Sequence, residues 1–407
     1  MNKPYVFFDY QKLICAVVFI LFTTLMLAGC SDGVIPEKPQ QQEEIVSEAK
    51  RYVIMSDRKC GFIDEKGTIV IKPQYDNCSD TFSEGLCWVM SGDKYGYIDT
   101  FGQYAINPQF DYADDFKEGL ALVQLKGKLG YVDKAGDMVI NAQFDNAGSF
   151  SEGLAVVQVG DRYGYIDKNG KIVINPQFDG AAPFKEGLAS VKLGQRTGYI
   201  NPQGEYVINP QYFGADSFSE GLALIQEGVN VGFIDKNGAT VIRPQFSYAS
   251  KFSEGMSCVE VGDKYGYIDK TGKLVINPQF DDAFPFKEQR ACVKSGDKWG
   301  YIDPTGKYVI NPQYDEAGEF NDGMAYTFTY DIENQTVNMK YLDLNGKTVW
   351  LLDLKESDFE EIIQENSTSA GSNNYLPYNE DDSYYYDPYD DYDLYEETYG
   401  DDYYIYD

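Results

Sequence analysis

Carboxylates, tyrosines and cysteines are the side chains of this sequence that could do chemistry, because its 407 residues contain 65 Asp and Glu and 35 Tyr but no His. Without imidazole, Ser-His-Asp and Cys-His nucleophilic catalysis and His-ligated zinc are excluded. The acids return at fixed intervals, Asp99, Asp133 and Asp167 in one row, Glu118, Glu152 and Glu186 in another. Two such rows could in principle supply the carboxylate pair of a glycoside hydrolase, which needs a separation of about 5 to 9.5 Å. Local sequence gives a plainer account. Each Asp opens a D-x-x-G turn, where its carboxylate accepts a backbone N–H and the Gly takes positive φ. Each Glu precedes a Gly at a tight re-entry. No insertion interrupts the rows to house a site, so the chain is expected not to be an enzyme, the carboxylate hydrolase standing as a minor alternative. No metal-ligand spacing such as CxxC is present, and neither metal nor cofactor is expected.

A second row could bind rather than react. Tyr97, Tyr131, Tyr165, Tyr199, Tyr267 and Tyr301 each follow a glycine, and successive glycines (Gly96, Gly130, Gly164, Gly198, Gly232, Gly266, Gly300) lie 34 residues apart. If exposed, these rings form a sugar-stacking face; if turned inward, they are core between units. The elements that would position them repeat with the same period, and a period of about 20 to 50 residues signals a solenoid, propeller or array. Each unit reads as three short strands. Examples are Leu120–Gln124, Leu129–Asp133 and Asp137–Asn141, β-branched or aromatic with turn residues between. Proline in INPQF removes a ladder donor and is expected to end the third strand, with a looser exit at Ala142, where proline is missing. The connector that follows carries a small residue (Ala113, Ala147, Ala181) and an aromatic (Phe116, Phe150, Phe184). The aromatic is read as a peg into the neighbouring unit.

A three-stranded meander of some twenty residues buries too little apolar surface to offset roughly 1–2 kcal/mol of backbone entropy per residue, so the units must lean on one another. About nine are countable. The expected fold is therefore all-β: tandem three-stranded antiparallel meanders stacked in an open, superhelical, solenoid-like array. A β-propeller-like ring is the alternative. Two features favour the open form: the period is shorter than that of familiar propeller repeats, and the units come out whole at both ends.

The 34-residue spacing, GYID-x-x-G, INPQF and F-x-EGLA resemble the WG repeat, a tandem β-repeat of bacterial secreted and envelope proteins. The resemblance covers about Arg51 to Leu352, although the name-giving Trp-Gly survives only as Trp299-Gly300. It implies binding or scaffolding and supplies no catalytic residues.

The N-terminus points outside the cytoplasm. Leu13 to Leu27 is an uninterrupted apolar run of signal-peptide length, and LAGC, Leu27 to Cys30, resembles the lipobox of bacterial lipoproteins. That resemblance implies cleavage between Gly29 and Cys30 and lipidation of Cys30, whose acyl chains would hold the protein to a membrane. The domain plan is then a signal peptide (1–29), a lipid-anchored polar linker (30–50), the repeat array (51–354) and an acidic tail (355–407). The net charge is −31, and 17 of the 65 acidic residues follow Lys355, beyond which no basic residue occurs. The tail is rich in Tyr and Asp and reads as disordered. Such a balance argues against nucleic acid as a partner. Cys60, Cys78 and Cys87 lie near the first unit, and an oxidising envelope permits a disulfide among them. The expectation is an envelope-anchored, extracytoplasmic repeat protein that binds a protein, peptide or glycan, or alternatively a structural spacer whose acidic tail makes the contacts.

Overall fold

The computed structural model describes residues 49–355, apart from 57 and 332–335. The signal sequence, Cys30 and the acidic tail lie outside the described residues. Those described form strands and turns, gathered into nine small antiparallel sheets arranged as a ring, a β-propeller. The blades, in chain order, span 52–75, 77–110, 112–144, 146–178, 180–212, 214–246, 248–280, 282–314 and 316–355. The all-β repeat reading holds. The arrangement is the ring given as the alternative, not the open superhelix.

Blade 4 shows the plan. A two-residue edge strand (Asn146–Ala147) is followed by strand a (Leu154–Val159), strand b (Arg162–Asp167) and strand c (Ile172–Phe178), hydrogen-bonded in that order. The edge strand is the fourth strand that the sequence did not reveal. It hides in the connector, where Asn146 and Ala147 pair with Gln158 and Val157, a ladder too short to leave a period of two. Seven sheets have four strands. Among the described residues blade 1 has no edge strand, and in blade 7 it is reduced to a bridge from Ala249 to Val259.

The b–c turns follow from their chemistry. Asp167 accepts the N–H groups of Asn169 and Lys171 on one carboxylate oxygen, at 2.9 and 3.0 Å, and Gly170 closes the turn at φ 77°. Strand c does not end at proline, as the sequence suggested. It runs on to Phe178 through a bulge: Tyr163 faces Phe178 and Tyr165 faces Ile174, so Gly164 alone opposes Asn175, Pro176 and Gln177. A Cβ on Gly164 would lie 2.5 Å from the Ile174 carbonyl oxygen and 2.7 Å from the Pro176 nitrogen, which is why glycine heads the strand-b signatures of blades 1 to 8; in blade 9, where Lys340 takes the slot, it pairs directly with Leu351. Ala142 does not loosen its blade, since Met138–Phe144 has the same length and the same register shifts.

Junctions between blades repeat as faithfully as the blades. The aromatic pegs do enter the neighbouring unit. Phe116 of blade 3 meets Tyr97 of blade 2 with ring centroids 4.8 Å apart, and Phe150–Tyr131, Phe184–Tyr165 and Phe218–Tyr199 repeat the contact at 4.8 to 4.9 Å. The ring closes without any strand shared between its ends. Tyr52, Ile54 and Ile63 of blade 1 pack with Met324, Val337 and Tyr341 of blade 9 in one apolar cluster. The Tyr52 hydroxyl donates to the Asp322 carbonyl at 2.6 Å. Whole units at both ends are thus compatible with closure, because the last blade meets the first through side chains.

Candidate interaction surface

The tyrosine row is core. Tyr97, Tyr131, Tyr165, Tyr199, Tyr267 and Tyr301 are 0% exposed, so they form no sugar-stacking face. Each hydroxyl crosses to the next blade and donates to a connector carbonyl, as Tyr131 does to Gly148 at 2.7 Å, while the Gly148 N–H donates to the Val156 carbonyl of strand a. Burial pushes these phenols far above their usual range. Ring and hydroxyl are both committed to the junction.

The acid rows are committed too. Asp99 and Asp133 hold turns as Asp167 does. The glutamates do more than re-enter. Glu118 sits in the left-handed region at φ 55°, a conformation costing a non-glycine residue roughly 1–2 kcal/mol. From there its carboxylate accepts the Gly153 N–H of the next blade at 3.0 Å, and the Lys168 ammonium of that blade lies 3.0 Å away. Glu84 repeats the clasp with Gly119 and Lys134. Partial burial opposes ionisation of Glu84, but the Lys134 ammonium and the Gly119 N–H outweigh it and hold the carboxyl below its ordinary range. Glu186 clasps Gly221 and Lys236 in the same way, while Glu152 accepts the Gly187 N–H alone, Pro202 standing in the lysine slot. Among the described residues no group of His, Cys, Asp and Glu could hold a metal ion.

A third tie lies at the end of the blades where the a–b turns are. Asp179 pairs with Arg162 of its own blade and accepts the Gly194 N–H from the a–b turn of the next, at 2.6 Å. Asp76, Asp111 and Asp281 bridge Lys59, Lys94 and Lys264 to the following turn likewise. The lysine beside each holds its carboxyl below the ordinary range.

At the junction of blades 5 and 6 that tie is replaced. Phe213 stands in the slot of Asp179 and Asp281, 53% exposed, with the Arg196 guanidinium 3.7 Å above its ring centroid. In the adjoining turn Val229 stands in the slot of Asp161 and Asp263 and is 85% exposed. Leu193, at the end of strand a of blade 5, is exposed as well. The aspartate of most other junctions, Ser247 between blades 6 and 7 being a second exception, thus gives way here to exposed apolar side chains carrying one cation. Sequence reasoning passed over it, although Phe and Val in slots of repeated Asp were legible as departures from the repeat.

Cysteine positions are settled by the blades. Cys60 on strand b of blade 1 is bonded to Cys78 on the edge strand of blade 2, while Cys87, Cys258 and Cys292 are buried thiols. Gly29 and Cys30 lie outside the described residues.

Eight successive segments match the WG containing repeat: 61–95, 95–128, 130–163, 163–196, 198–228, 232–265, 265–299 and 299–327. The chain belongs to the WG containing repeat family. Each WG segment begins on strand b, so the unit of sequence straddles two blades and carries one complete junction. No curated protein matches the chain. Among solved structures, one described as the eukaryotic initiation factor is similar with a TM-score of 0.57 at 11% identity, covering 76% of this chain and 97% of that one. Dipeptidyl peptidase 4 of Porphyromonas gingivalis gives a TM-score of 0.43 at 9% identity, over 78% of this chain and 60% of that one. At such identities the likeness concerns fold alone.

Proposed function

We propose that this WG-repeat ring is an extracytoplasmic binding module, held at the cell envelope through lipidated Cys30, that engages a protein or peptide segment through Phe213, Val229 and Arg196. The observation that carries the reading is the replacement of repeated aspartates by exposed apolar residues at the junction of blades 5 and 6. An uncovered phenylalanine and valine leave apolar surface in water that a partner would remove, and the guanidinium favours a segment that pairs apolar residues with a carboxylate. The carboxylates of the Asp and Glu rows are engaged in turns and clasps, which supports a non-catalytic role.

A photo-reactive residue placed at position 229 of the full-length protein in envelope preparations should form a discrete crosslinked product. The same residue at position 161, the equivalent slot of blade 4, should not. Phe213→Asp, which installs the residue found at most other junctions, should abolish the product while leaving the β-sheet circular dichroism unchanged. Equal crosslinking at both positions, or none at either, would remove the binding reading and leave the spacer.

A further inference from the structure

The junction of blades 1 and 2 combines three departures from the regular pattern, the first of them shared with Phe233 of blade 6. Its strand-b aromatic is Phe62, which packs on the peg Phe82 with centroids 5.0 Å apart but has no hydroxyl to send across. The slot of the clasping glutamate is Ala49, which has no carboxylate. Among the described residues blade 1 has three strands. Polar and covalent ties that do cross the junction are the Lys59–Asp76–Gly92 bridge, the Arg51 guanidinium donating to the Thr100 carbonyl at 2.9 Å, the Tyr75 hydroxyl donating to the Gly102 carbonyl at 3.2 Å, and the covalent bond from Cys60 to Cys78. Cys60 occupies the slot before the glycine that holds Trp299 in blade 8, and Cys78 the small-residue slot of Ala113. Both sulfurs stand where the repeat already brings two blades into contact.

We infer that the Cys60–Cys78 bond is an oxidation-gated latch: blade 1 docks and the ring closes only once this disulfide has formed, while blades 2 to 9 fold without it. In the latching step a thiolate from one cysteine attacks a sulfur of an oxidised dithiol carrier, and the second cysteine then displaces that carrier from the mixed disulfide. Two cysteine thiols become one disulfide, and the carrier leaves with two electrons and two protons. A cross-link removes conformations from the undocked state, which matters most where non-covalent ties are fewest. Once formed, the bond is sheltered, with Cys60 1% and Cys78 4% exposed. Ring closure would thereby be confined to a compartment that oxidises thiols. The inference rests on the first junction alone, so its test and that of the Phe213 surface fail independently.

Cys87 reports on the latch, because it is buried in the same apolar cluster as Cys60 and Cys78. Cys258 and Cys292 of blades 7 and 8 serve as internal controls. Alkylation rates of the three thiols would be compared by mass spectrometry in the oxidised full-length protein, in Cys60→Ser/Cys78→Ser, and in Cys60→Ala/Cys78→Ala should the serine pair impair folding. The expected result is protection of all three in the oxidised chain and, in either variant, reaction at Cys87 at least about tenfold faster with Cys258 and Cys292 still protected. Cys87 remaining as protected as the controls would overturn the latch. So would exposure of all three together, which marks a general stabiliser, or alkylation of Cys60 and Cys78 in protein exposed to a disulfide oxidant.

Discussion

The Tyr341 hydroxyl donates to the Val53 carbonyl at 2.8 Å, across 288 residues of sequence, and this one bond replaces two. At regular junctions the tyrosine donates to a connector carbonyl, and the N–H of the same connector residue donates to strand a, as with Tyr131, Gly148 and Val156. Among the described residues blade 1 has no such connector. The phenol of blade 9 and the strand-a carbonyl of blade 1 would each be left without a partner, and they satisfy one another directly. Tyr52 completes the repair. It stands in the slot of Ala121 and Ala155, and its ring packs 5.8 Å from Tyr341, where no peg is supplied.

Tyr341→Phe should therefore weaken closure by stranding the Val53 carbonyl, at a cost of about 1–3 kcal/mol. Denaturant unfolding followed by circular dichroism would show the loss, and hydrogen exchange would place it in strands 52–56 and 336–343. An unchanged midpoint with unchanged protection of those strands would contradict the role assigned to the bond.

A coupled substitution is visible inside the chain. Blade 6 carries Phe233 in the tyrosine slot, and blade 7 carries Ser257 where alanine is usual, its hydroxyl donating at 2.7 Å to the Ser250 carbonyl that a tyrosine would otherwise reach. Phe62 and Cys87 repeat the exchange, with the Cys87 Sγ donating to the Ser79 carbonyl at 3.5 Å. Ser257→Ala should destabilise by about 1–3 kcal/mol, and adding Phe233→Tyr should recover at least about 0.5 kcal/mol of that loss. Strict additivity of the two changes would show that the slots are independent.

Gly164→Ala should cost more than about 3 kcal/mol or prevent folding, because its new methyl meets backbone atoms that cannot move without breaking the bulge. Gly148→Ala is the control: its Cβ would meet only the Val156 Cβ, at 4.0 Å, and a change within about 1 kcal/mol is expected. Comparable thermal midpoints for the two variants would discard the packing explanation of the strand-b glycine.

Asp115 should make stability fall as pH rises. Burial pushes its carboxyl up to about 6, and the neighbouring Asp114 charge adds to the rise, against the lowering effect of hydrogen bonds from Ser79 and Thr81. The folded pKa exceeds the unfolded value of about 3.9, so the folded state holds this proton more tightly. The contribution is favourable to folding below about pH 4 and is lost as pH climbs through about 6. Asp115→Asn should stabilise the protein at pH 8 by on the order of 1–3 kcal/mol, with the advantage disappearing near pH 4. A pH-independent difference between the two proteins would assign the effect to something other than titration.

Turns, strand pairing and pegs were legible in the sequence because each is decided within a few residues: Asp167 and Gly170 specify their turn, and Phe150 lies among polar neighbours that mark it as an anchor. The glutamate clasps were half legible. Glu118 was correctly placed at a re-entry, but its partners Gly153 and Lys168 lie 35 and 50 residues on, in the next blade.

Sequence by itself determined an all-β chain of 34-residue units that must lean on their neighbours, since period, turn chemistry and apolar patterning are local properties repeated in register. Only the tertiary structure decided that the line of units bends into a ring, that the Tyr97 row faces inward, and that Cys60 rather than Cys87 reaches Cys78. Those outcomes depend on the rotation between successive blades summed around the whole array, and that angle is set by junction packing between residues far apart in the chain.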